Sequence, residues 1–105
     1  MAYDFVVGWR SKRPGSSAHV GAIDYRDMTA LAALMRRSDS FFLARLTDIY
    51  KDQSFSSGEV RQALAQLLPL MCVSLSGAER ALLDKLVAVL CFASHKDDGL
   101  HALAD

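Results

Sequence analysis

The sequence predicts an α+β protein, predominantly helical, in which an N-terminal strand or short β-hairpin packs on about four α-helices. Three observations carry this expectation. Tyr3, Phe5, Val7 and Trp9 alternate with Asp4, Val6, Gly8 and Arg10, the two-residue period of a strand. Serine stands three residues ahead of glutamate at Ser56…Glu59 and again at Ser76…Glu79, each pair opening an apolar stripe. In such a capping box the hydroxyl accepts from an early helical N–H while the carboxylate reaches back to the N–H of the cap. Between and beyond these points the apolar period switches from two to the 3.6 of helices.

The elements follow in order. After the first strand, residues 11–17 form a loop in which Pro14 presets φ for a turn and Gly15 supplies positive φ. His19–Ile23 is a candidate second strand, loosened by Gly21, and the sequence leaves open whether it pairs with the first. A lone hairpin is marginal in water, so its aromatic face must rest on helices. The first helix starts at Asp24–Asp27, with acids near its positive end, and is expected to bury Met28, Leu31, Ala32 and Met35. Arg36 and Arg37 suit its negative end; Ser38, Asp39 and Ser40 break the run and offer the next cap. The second helix turns Phe42, Leu46, Ile49 and Tyr50 inward and Arg45, Asp48 and Lys51 to water, before a polar loop, 51–57, anchored by Phe55.

From the Ser56 cap, Val60, Leu64, Leu67, Leu68 and Met71 make a third stripe, which Pro69 should end or kink near Leu68. The fourth helix carries Leu82, Leu83, Leu86, Val87, Val89, Leu90 and Ala93, an arc wide enough for a central helix packed on more than one side. It should stop around Ser94–Lys96, with Asp97, Asp98 and Gly99 as the turn, and Leu100, Ala102 and Leu103 as a last turn folded onto the core.

At 105 residues, 51% of them apolar, the chain reads as a single domain, residues 1–105, with enough material for one core. No basic segment followed by a long apolar run opens it, and no run approaches the roughly 20 apolar residues of a membrane span, so the cytoplasm is the expected compartment. Cys72 and Cys91 sit in apolar stretches without metal-type spacing and read as small buried hydrophobes. Net charge is zero, but residues 1–37 hold six basic and three acidic side chains and residues 38–105 six and nine, a dipolar distribution.

Reactive constellations are sparse. His95, Asp97, Asp98 and His101 fall within seven residues, the raw material of a metal site, yet their spacing matches no usual structural or catalytic pattern and also suits a helix end and turn. Apolar surroundings would raise either thiol's pKa, against cysteine catalysis. No nucleophile elbow or phosphate-cradling glycine loop is present. No catalytic residue, metal or cofactor is therefore expected. Arg10, Lys12 and Arg13 beside Trp9 would serve a nucleic-acid contact, which a neutral chain disfavours.

The remaining feature is acidic: Asp39, Asp48, Asp52 and Glu59 surround the second helix and the loop after it, with Arg45 and Lys51 intermixed. Asp48 and Asp52 are four apart and share a face if the helix lasts that long. These four are the expected partner-binding residues.

A short chain with an aromatic opening strand (Tyr3–Trp9), a basic turn, packed helices and the closing segment His95–Asp105 resembles, in layout, the bacterial immunity proteins of contact-dependent growth inhibition and related polymorphic toxin systems. The resemblance implies a non-catalytic cytoplasmic inhibitor, an antitoxin that occludes the active or substrate-binding site of a cognate toxin, commonly a nuclease. An acidic patch would be the natural contact for the basic surroundings of a nuclease site. Three alternatives accompany this reading: a small nucleic-acid-binding regulator using Arg10, Lys12, Arg13, Arg36 and Arg37; a homo-oligomeric helical scaffold, or weak homodimer, built on the fourth helix; and a metal-dependent enzyme, which would need His95, Asp97 and His101. No membrane partner is expected.

Overall fold

The computed structural model describes residues 2–7, 18–48, 51–96 and 99–104. The alternating opening forms β1 (Ala2–Val7), which lies inside a four-stranded antiparallel sheet between β2 (Ala18–Asp24) and β4 (Leu100–Ala104); β3 (Gln53–Phe55) pairs with the far side of β4, giving the order β2-β1-β4-β3. Residues 19–23 thus do pair with the first strand, in the register Tyr3↔Ile23 and Phe5↔Gly21, with an irregularity between Phe5 and Val6. On the other side Phe5 faces Ala102 and Val7 faces Leu100, and Leu100 in turn faces Phe55. Directly opposed side chains share a face, so Tyr3, Phe5, Val7, Ile23, Phe55, Leu100 and Ala102 form one apolar surface, all buried. Trp9 and the 11–17 turn lie outside the described residues.

That surface rests on four helices: α1 (Met28–Met35), entered through a 3₁₀ turn at Tyr25–Asp27, α2 (Phe41–Leu46), α3 (Ser57–Leu67) and α4 (Gly77–Lys96). The architecture is α+β and predominantly helical, with two more strands than a hairpin supplies. Ser40 caps α2, its Oγ accepting from the Leu43 N–H at 3.5 Å. Both capping boxes form. The Glu59 N–H donates to Ser56 Oγ at 3.1 Å and the Ser56 N–H to Glu59 Oε1 at 2.9 Å; at the start of α4 the matching distances are 3.2 and 2.9 Å for Glu79 and Ser76. Pro69 acts as expected: α3 stops at Leu67 and continues as a 3₁₀ turn, Leu68–Cys72. The fork of Arg80 collects the carbonyls left there, donating to Met71 O and Val73 O at 2.9 Å each.

Helix α4, about 30 Å long, is the centre of the fold. Leu82, Leu83, Leu86, Val89, Leu90 and Ala93 are buried, and the helix packs on α1, α3, β1 and β2. Its approach to the sheet needs Gly21, where a Cβ would stand 2.9 Å from Val89 Cγ2. Gly99 makes a second close approach: a Cβ there would lie 2.8 Å from the Phe55 carbonyl oxygen, so backbone meets backbone between the end of α4 and β3. One cluster unites the sheet face with all four helices, and each fully buried Leu, Ile or Phe in it contributes about 1.5–3 kcal/mol of transfer free energy.

Several expectations are corrected. The closing segment is a strand, not a helical turn: Leu100 and Ala102 are buried while His101 and Leu103 between and beyond them are not, a two-residue period in a run too short to announce it. The polar loop at 51–57 contains β3. On α1 Leu31 is buried as expected and Met28 and Met35 pack partly buried against the core, but Ala30 and Leu34 complete the buried face and Ala32 is exposed. Past Leu67 the tighter three-residue period buries Leu70 and turns Leu68 and Met71 out, to 45% and 37% exposure. Both cysteines are free and exposed. Cys72 ends the 3₁₀ turn, and the 100° step of α4 sets Cys91 outward between a buried Leu90 and a partly exposed Phe92. Finally, α2 ends at Leu46, so Asp48 and Asp52 do not share a helical face; Ile49 and Tyr50 lie outside the described residues.

Candidate functional site

Of the four acidic residues singled out by the sequence, three gather at the corner where α2, β3 and α3 meet. Asp39 stands at the opposite end of α2, next to the Ser40 cap, and is exposed. Asp48 follows α2 and is exposed; its main-chain carbonyl accepts from the Tyr3 hydroxyl. Asp52, also exposed, accepts the Ala104 N–H on Oδ1 at 2.8 Å, so a side chain extends the β3–β4 ladder by one bond. Glu59 is half-buried and committed: beyond its capping bond, its Oε2 lies 3.3 Å from Arg45 Nη1.

Arg45 organises the corner. Its Nε donates to Gln53 Oε1 at 3.2 Å and its Nη2 to Ser54 O at 2.8 Å, while Cζ sits 4.3 Å from the centroid of the Phe55 ring. Phe55 is buried against Phe42 and Phe41, with centroids 4.8 and 6.3 Å away in tilted pairs. A planar fork that binds three acceptors and covers an aromatic face is a task for arginine rather than lysine. The helical period alone turns Arg45 to water; in the fold it is half-buried and bound. Its partners are 8, 9 and 14 residues away, at separations that no helical rule connects.

The buried Tyr3 hydroxyl ties the same corner to the sheet, donating toward the carbonyl of Asp48 and lying 3.0 Å from that of Lys51. Burial holds this phenol above its ordinary pKa; a hydrogen bond with Gln53 pulls the other way, and the charges of Asp48 and Asp52 add to the rise. The result is a braced corner: Glu59, Gln53 and the Ser54 carbonyl are tied together by Arg45, and Asp48, Lys51 and Asp52 are held at the surface. Chemically it can present fixed negative charge to a cationic group.

The other candidates are dispersed. His95 is exposed at the end of α4, Asp97 and Asp98 lie outside the described residues, and His101 on β4 holds Nδ1 3.0 Å from Ser54 Oγ across the strand pair. Among the described residues no group of three or more His, Cys, Asp or Glu side chains is placed to hold a metal ion. Arg36 is exposed, Arg37 is bound to Glu79, and Arg10, Lys12 and Arg13 lie outside the described residues. No described helix is long and apolar enough to cross a membrane.

Fold and site together define a small α+β protein whose antiparallel sheet is backed by helices and whose α2–β3–α3 corner carries a braced acidic edge. No family model, curated protein or solved structure matches the chain.

Proposed function

We propose that this chain is a non-catalytic, cytoplasmic protein-binding inhibitor that neutralises a cognate bacterial toxin, in particular a nuclease, by occluding its active or substrate-binding site. The observation that carries the reading is the mounting of the acidic residues: Asp39, Asp48 and Asp52 are exposed, and the backbone beneath the last two is held by Tyr3 and by the β3–β4 ladder. Fixed charge of this kind sets association rate and partner choice, while apolar anchors in the interface supply affinity. Preorganisation matters because a pinned carboxylate loses less entropy on binding than one on a free loop.

The test is kinetic. The product of the neighbouring reading frame is purified and assayed for nuclease activity and its inhibition by the chain. Their association is followed by stopped-flow fluorescence as a function of salt. A neighbour that neither cleaves nucleic acid nor binds the chain overturns the reading. Asp39→Lys with Asp48→Lys should slow association by about tenfold and flatten its salt dependence, as expected when steering charges are reversed. Glu59 is left intact, since its reversal would remove a helix cap and the partner of Arg45. Association unchanged by the double reversal would discard this surface.

A further inference from the structure

A second surface lies on the outer side of α4. Asp84, Ala88, Phe92 and Lys96 are spaced four apart and all exposed, so they form one ridge along the helix. An outward helix face is ordinarily charged; here the middle of the ridge is apolar, with exposed Cys91 alongside Phe92. Phe92 keeps 37% of its surface in water, and the Lys96 ammonium sits 5.6 Å from the centroid of its ring. Among the described residues Asp84 has no ion-pair partner, in contrast to its neighbour Lys85, which reaches Asp27 at 3.3 Å.

We infer that this ridge is the contact between two copies of the chain, packed antiparallel about a two-fold axis near residue 90. A two-fold interface joins a patch to itself, so the patch must be complementary under reversal. The ridge has that property twice. Read from opposite ends, Asp84 of one copy meets Lys96 of the other, and the small Ala88 meets the ring of Phe92; each match occurs twice by symmetry. Cys91 then stands one residue from the axis on each chain. Asp97 and Asp98, which follow Lys96, lie outside the described residues. A single helix face is smaller than a standard protein interface, so the dimer is weak and depends on concentration. This surface is separate in sequence from the acidic corner proposed for toxin binding.

Sedimentation velocity over a concentration series should show a monomer passing to a dimer. Asp84→Lys sets lysine against lysine at both symmetric positions and should weaken dimerisation by about tenfold or more, the effect of roughly 1.4 kcal/mol. Asp84→Lys with Lys96→Asp should restore it. In a Cys72→Ser background a short bis-maleimide should link two chains through Cys91. A monomer at every concentration overturns the inference. So does dimerisation that Asp84→Lys leaves unchanged or strengthens, that the double exchange fails to restore, or that a Cys91 cross-link does not capture. Circular dichroism of each variant confirms that α4 is intact.

Discussion

Arg37, just past α1, holds Glu79 in the first turn of α4: Nε lies 3.2 Å from Oε2 and Nη2 3.5 Å from Oε1. The same carboxylate accepts the Ser76 N–H, so one buried side chain both caps the central helix and fastens it to α1, 42 residues away.

This arrangement gives the acid limb of stability a defined sign. The Ser76 N–H, and after it Arg37, hold the Glu79 carboxyl below its ordinary value of 4.5. A group whose pKa is lowered on folding stabilises the native state above its unfolded pKa, and that contribution is lost as pH falls through the folded one. Glu79→Gln should therefore be less stable than the parent at pH 7, with the difference narrowing below pH 4.5. Urea unfolding at neutral and acid pH measures it; an equal difference at both would contradict the assignment.

Tyr3 supplies the opposite limb. Its phenol is held above 10.0, chiefly by burial, so the unfolded chain gives up this proton first and stability falls as pH rises beyond that value. Tyr3→Phe keeps the ring and removes the hydroxyl bonds to the Asp48 and Lys51 carbonyls. It should cost about 1–2 kcal/mol at neutral pH and make the alkaline limb shallower. Hydrogen exchange should be faster at Lys51 and Asp52.

Arg45 offers a test of geometry against charge. Arg45→Ala removes three donor contacts and the cover over Phe55, with an expected loss of about 1–3 kcal/mol. Arg45→Lys keeps the charge without the fork and should recover less than half of it. Full recovery by lysine would mean that charge alone matters at this corner.

Gly21 is a packing position. Gly21→Ala sets a methyl 2.9 Å from Val89 Cγ2, an overpacking expected to cost about 1–3 kcal/mol. Val89→Ala in the same chain makes room, so the double variant should be less destabilised than the sum of the singles. Additive losses in a double-mutant cycle would show that α4 and β2 do not meet there.

Legibility in the sequence followed the range of the interaction. The alternation in β1, the caps Ser40, Ser56 and Ser76, the break at Pro69 and the wide arc of α4 all appear as read, because each depends on residues within about one or two turns. The strand Leu100–Ala104 was hidden: five residues show too little period, and the partner that makes them a strand is β1, almost a chain length away. The exposure of Cys72 and Cys91 was missed for a related reason, since an apolar neighbourhood in sequence spans both sides of a helix.

The acidic candidates divide in the same way. That Glu59 caps a helix could be read from Ser56 three residues earlier. That it also binds Arg45, and that Asp52 takes the Ala104 N–H while Tyr3 pins the loop beside it, could not. By itself the sequence determined where α2, α3 and α4 begin, where Pro69 breaks α3 and which strand opens the fold, since hydrogen-bonding and side-chain periodicity act locally. Tertiary structure decided which strands pair, which faces stay wet and which charges are already occupied, because those outcomes depend on contacts between segments that meet only after the chain has closed.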